Sequence, residues 1–117
     1  MIVDTSIWVK HFRTGERALA ERLELGVVLL HPFVIGELAC GNLRNRMEIL
    51  TSLDSLPKPI LANHDEALGL VERERLHGRG IGWVDVHLLA SARLSWSPIW
   101  TLDRRLNEAA ISLGVGL

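Results

Sequence analysis

Four carboxylates fall where an alternating chain of strands and helices would bring them together: Asp4, Glu37, Asp85 and Asp103. Asp4 ends a short apolar run, residues 1–3. Asp103 follows another, residues 99–102. Asp85 stands at the start of a helical stretch, just after the glycine-rich segment 77–82. In open α/β sheets, sites form outside the carboxyl ends of the strands. Asp4 and Asp103 would therefore share one rim, and Asp85 would reach it from its helix N-terminus. Glu37 lies mid-helix among the small and apolar residues 33–40, where an unpaired charge is costly. Carboxylates that converge repel one another unless a cation shares them. Oxygen-only ligands completed by water select a hard ion such as Mg²⁺ or Mn²⁺. Such an ion lowers the pKa of a bound water and so supplies hydroxide near neutral pH.

Each acid also has an ordinary reading. Asp85 and Asp103 could simply cap helices. Asp4 could be a turn residue after a strand. Glu37 could reach solvent, or pair with Arg44 or Arg46. The joint placement, one acid per element at the rim, favours the site.

The elements that must carry these acids alternate. Residues 1–3 form a strand, and Thr5 or Ser6 caps a helix beginning near Ile7, which Thr14-Gly15 breaks. Residues 16–25 carry Leu19 and Leu23 on one helical face. The β-branched and apolar residues 27–30 predict a second strand. Pro32 suits the first turn of a helix running to about Cys40; Gly41-Asn42 interrupts, and residues 43–53 continue as helix. After Pro57-Lys58-Pro59 comes a brief strand at 60–61, and then a helix to about Leu76, capped by Asn63 or Asp65. Helix resumes over 84–94, a strand follows at 99–102, and Asp103 caps a last helix over 104–113. Any final strand is confined to 115–117. This alternation with short connections predicts an α/β fold with a parallel sheet between helices.

At 117 residues the chain is expected to be one domain, 1–117, with a single core. A lone cysteine, Cys40, leaves no disulfide framework and no Cys-based zinc site, and fits a reducing cytoplasm. The opening residues lack the pattern of a signal peptide, and no apolar run approaches the ~20 residues of a membrane helix. A net charge of −1 means that nucleic acid would have to be gripped by local arginines or by a metal.

Four segments together resemble the motifs of PIN-domain ribonucleases, specifically VapC-type toxins of toxin–antitoxin pairs. These are Val3-Asp4-Thr5-Ser6-Ile7-Trp8; Gly36-Glu37-Leu38 with Gly41; Gly82-Trp83-Val84-Asp85-Val86-His87; and Thr101-Leu102-Asp103-Arg104-Arg105. They stand in the family's order across nearly the whole chain. The resemblance implies a PIN-like three-layer α/β/α fold with a central parallel sheet. It implies a cytoplasmic endoribonuclease dependent on Mg²⁺ or Mn²⁺, frequent homodimerisation, and a cognate antitoxin whose tail occupies the active-site groove. Carried over motif by motif, the metal-binding and catalytic set is Asp4, Glu37, Asp85 and Asp103. Thr5, Ser6 and Thr101 are the hydroxyl residues placed beside it.

The mechanism so implied uses water as the nucleophile and leaves 5′-phosphate and 3′-hydroxyl ends. Glu37 would hold a second ion or orient the water. Arg104, Arg105 and Arg79 are candidates to grip phosphates of single-stranded RNA, or are solvated surface charges. Trp8 and Trp83 either stack on bases, pack in the core or make a dimer contact. His87, two residues from Asp85, should point away from the acids, because i and i+2 do not share a helix face. A rival reading is a PIN-domain nuclease of RNA maturation or decay with no antitoxin. A phosphoacceptor signalling domain would need an adjacent acidic pair after the first strand and a late lysine. Here Asp4 is followed by Thr5-Ser6, and the lysines are Lys10 and Lys58.

Overall fold

The chain runs β1 (Ile2–Val3), α1 (Thr5–Thr14), α2 (Arg17–Glu24), α3 (Pro32–Ala39), α4 (Arg46–Asp54), α5 (His64–Arg73), α6 (Trp83–Ser95), β2 (Ile99–Trp100) and α7 (Arg104–Ser112). The structure is a computed structural model and describes residues 1–117. The two strands pair in parallel, Ile2 opposite Ile99 and Val3 opposite Trp100. One parallel bridge flanks the pair on each side, Ile2 to Leu29 and Ile99 to Gly116. Four extended segments therefore lie side by side in one direction, and only the middle two make a continuous ladder.

That sheet is smaller than the sequence predicts. Residues 27–30 form a single bridge rather than a strand, because the Leu30 N–H turns away to the carbonyl of Pro57. Residues 60–61 form none. The Ile60 N–H goes to the Ser95 hydroxyl, the Ile60 and Leu61 side chains are exposed, and Pro59 has no N–H to give. Residues 115–117 contribute only the bridge at Gly116. The strand expected over 99–102 stops at Trp100, because the Thr101 hydroxyl accepts the Asp103 N–H and folds the chain into a turn.

The helices follow the sequence signals more closely. Gly15, at φ +81°, ends α1. Pro32 opens α3, and a reciprocal capping box between Asn63 and Glu66 opens α5. The helix expected from residue 43 starts only at Arg46, after the left-handed Asn45. Thr5 and Ser6 are not caps. They lie inside α1, whose N-cap position is Asp4.

One apolar cluster holds these elements together. Ile2 and Val3 are fully buried in it, as are Leu88, Leu89 and Ala92 of α6, Ile99 of β2, and Leu106 and Ala109 of α7. Each large aliphatic side chain so buried contributes ~1.5–3 kcal/mol. β1 is only two residues long, so this burial, more than its ladder, fixes where Asp4 emerges. Both α6 and α7 pack on β2, and α1 packs on α3. No helix is long and apolar enough to cross a membrane.

Candidate active site

Asp4 leaves β1 at the N-cap position of α1, yet its side chain makes no capping hydrogen bond. Its Oδ2 instead accepts two hydroxyls, from Ser6 at 2.8 Å and from Thr101 at 2.6 Å. Each hydroxyl is aimed by a backbone N–H of the turn after β2. Leu102 N–H donates to Ser6 Oγ at 3.0 Å, and Asp103 N–H donates to Thr101 Oγ1 at 2.9 Å. With its acceptor side occupied, each hydroxyl has its proton free for Asp4. The first strand and the β2–α7 turn are thereby joined at a buried carboxylate.

Two of the neighbouring acids are placed by helix starts. Asp103 is the N-cap of α7, its Oδ1 accepting the Leu106 N–H at 3.0 Å. Asp85, in the first turn of α6, accepts the Gly82 N–H on Oδ2 at 3.0 Å. Glu37 projects from α3, and its Oε1 accepts the Thr5 hydroxyl at 2.6 Å. It pairs with neither Arg44 nor Arg46; the Arg46 guanidinium is spent on the carbonyls of Ala39 and Gly41.

One pattern recurs in all four acids. A protein donor holds one carboxylate oxygen, the other has no protein donor, and no cationic side chain pairs with any of them. The Asp85 carboxyl registers the consequence. Burial raises its pKa above the ordinary 3.8, and the charges of Asp4, Asp103 and Glu37 raise it further, against a lowering by the Gly82 N–H. The four acids thus share one electrostatic neighbourhood. No three acid, histidine or cysteine side chains stand close enough, as placed, to ligate one ion directly. The arrangement fits a hydrated hard dication, since Mg²⁺ ordinarily keeps several waters and takes one or two carboxylates.

Of the arginines expected to grip phosphate, one is bonded within the chain. Arg79 is half-buried and donates to Ser112 at 3.3 Å. The Arg105 side chain lies across Gly80, where a Cβ would overlap it. Arg104 is exposed, 3.6 Å from Glu108. Two arginines that no motif singles out, Arg13 of α1 and Arg44 of the α3–α4 loop, line a cavity of about 530 Å³ together with Glu37. Only the packing of α1 on α3 brings them together, so no local pattern announces them.

The tryptophans divide. Trp8 is buried in the core, whereas Trp83 is partly exposed at the start of α6. His87 is buried, its ring 4.7 Å from both Phe33 and Trp83 and 6.3 Å from His31. This cluster joins α3 to α6, the helices that carry Glu37 and Asp85. At its base, His31 caps α3 by accepting the Phe33 N–H on Nδ1 at 2.9 Å.

A parallel β/α scaffold with three acids at its strand ends and helix starts, and a fourth projecting from α3, defines a class. The family model of the PIN domain matches residues 1–112, and the chain belongs to that family. It is 42% identical to Ribonuclease VapC32 of Mycobacterium tuberculosis (strain ATCC 25618 / H37Rv), over 100% of this chain and 95% of that protein. The same figures hold for Ribonuclease VapC32 of strain CDC 1551 / Oshkosh.

Proposed function

We propose that this chain is a metal-dependent endoribonuclease that hydrolyses phosphodiester bonds in RNA and acts as the toxin of a toxin–antitoxin pair. The reading takes residues 1–117 as a single PIN-like domain of three layers, α/β/α, working in the cytoplasm as a homodimer held in check by a cognate antitoxin. The observation that carries it is the set of four acids, each with one oxygen anchored and one free, with no cationic partner. Full-length identity to a ribonuclease supports the substrate class.

In this reading Asp4, Asp85 and Asp103 would hold Mg²⁺ or Mn²⁺, in part through bound waters, with Glu37 beside them. A bound ion of this kind neutralises a phosphodiester oxygen and acidifies a water. The chain's own residues do the rest. Ser6 and Thr101 fix the Asp4 carboxylate, and Gly82 and Leu106 fix Asp85 and Asp103 through their N–H groups. Thr5 holds Glu37 so that its free oxygen orients the attacking water and accepts its proton. Water adds to phosphorus and the bond to the 3′-oxygen breaks. That oxygen leaves with a solvent proton, giving 5′-phosphate and 3′-hydroxyl ends.

The test is cleavage of single-stranded RNA by purified protein with Mg²⁺ or Mn²⁺, set against the same reaction in excess EDTA, with the ends mapped. Cleavage in metal alone, yielding 5′-phosphates, is expected. Undiminished cleavage in chelator would overturn the reading.

A further inference from the structure

We propose that the cavity beside Glu37 is a nucleotide subsite. One base of the RNA strand lies against Phe12, and the adjoining phosphates meet Arg13 and Arg44. The proposal rests on the ribonuclease reading above and extends it to where the strand runs.

The cavity holds about 530 Å³, within the range of ~300–1,000 Å³ typical of ligand sites. Its walls are half apolar, and Phe12 offers a ring of the kind on which single-stranded bases stack. Asn42 offers an amide that can meet a base edge as donor or acceptor. Arg13 and Arg44 are exposed, and neither makes an ion pair or a hydrogen bond within the chain. Two uncommitted guanidinium groups lining a half-apolar cavity suit an anionic ligand with a flat apolar part. A nucleotide within a strand is such a ligand.

Glu37 sets the register. It is bonded to Thr5 at the acidic rim and also lines this cavity, so the subsite adjoins the reacting centre. Its charge disfavours phosphate beside it and leaves the arginine-lined part of the cavity as the place for the backbone. With a net charge of −1, the chain has no general positive field to hold RNA. Local arginines must hold it; Arg79 is bonded to Ser112, and the Arg105 side chain lies across Gly80 rather than into this cavity.

The experiment measures binding of a labelled single-stranded RNA of roughly ten nucleotides, in chelator so that nothing is cut, across a salt series. Wild type, Arg13→Gln/Arg44→Gln, Arg13→Lys/Arg44→Lys and the control Arg73→Gln are compared. The glutamine pair should bind roughly tenfold more weakly. Its slope of log affinity against log salt should be shallower by about 1.4, at ~0.7 for each single-strand phosphate no longer neutralised. The lysine pair should keep the wild-type slope, and Arg73→Gln should match wild type. Equal affinity and slope for the glutamine pair would overturn the subsite, as would wild type failing to bind this RNA. A glutamine pair that holds RNA normally but loses a co-purifying protein would make the cavity a protein groove, which also overturns it. If wild type cuts no RNA in either metal while binding still depends on both arginines, the subsite stands and the ribonuclease reading falls.

Discussion

The Thr101 hydroxyl donates to Asp4 Oδ2 at 2.6 Å, across 97 residues of sequence. Because Thr101 is itself aimed by the Asp103 N–H, one side chain orients one acid and ties down the turn bearing another. Thr101→Val keeps the shape and removes the hydroxyl. Hydrogen bonds to charged groups contribute ~1.5–3 kcal/mol, so urea unfolding should show the variant less stable by about that much. Its kcat should fall at least tenfold while KM stays near wild type. A variant as active as wild type would mean that the orientation of Asp4 is immaterial.

Asp103 both caps α7 and stands at the rim, and two substitutions separate these duties. Asp103→Asn keeps the acceptor for the Leu106 N–H, because Asn caps about as well as Asp. It should melt like wild type and lose most RNA cleavage. Asp103→Ala should lose cleavage and also ~1 kcal/mol of stability. If Asn retained full cleavage, Asp103 would be a cap and nothing more.

Asp85 offers a test by metal removal. Its pKa is raised, by burial first and then by the other three acids. The native state therefore keeps a proton that the unfolded chain releases near 3.8. Metal-free stability should fall as pH rises through the window above 3.8, and stay lower at neutral pH. Asp85→Asn should melt a few degrees above wild type in chelator at pH 7, at roughly 4 °C or more per kcal/mol relieved. It should also gain less from Mn²⁺ than wild type does. A variant that melts lower in chelator and gains equally from Mn²⁺ would make Asp85 structural.

His31 carries the opposite sign. Burial, then the neighbouring His87, lowers its pKa from 6.5 to about 4. The unfolded chain takes up the proton near 6.5 while the native state resists it to about 4. The stability is complete above 6.5 and is lost as pH falls toward 4. Protonation also removes the Nδ1 acceptor that caps α3. His31→Asn can still cap, so its urea midpoint should depend less steeply on pH between 6.5 and 4, even if the lost ring lowers it throughout. An unchanged slope would place the acid sensitivity elsewhere, His87 being next, since burial lowers its pKa too.

The helices and the acids were legible because their signals are local. Pro32, Asn63 and Asp103 each punctuate a helix through their own neighbours in sequence. The sheet was less so. Residues 27–30 have the composition of a strand, yet where the Leu30 N–H goes is settled by Pro57, far along the chain. The hydroxyls of Thr5 and Ser6 illustrate the same limit. Their position before a helix suggests capping, but partners 32 and 96 residues away claim them. Arg13 and Arg44 become neighbours only through α1 on α3, a packing that no spacing in the sequence encodes.

The short ladder also bears on how the molecule comes into being. Chains are made from the amino end, so β1 and Asp4 emerge long before Ile99, Trp100 and Thr101, their partners. Ile99 in turn waits for the carbonyl of Val115. Pairings so distant in sequence form late and slowly. A nascent chain halted between Asp85 and β2 carries Asp4, Glu37 and Asp85, but has no floor on which to assemble them. The rim closes only once Ile99, Trp100 and Thr101 have been made.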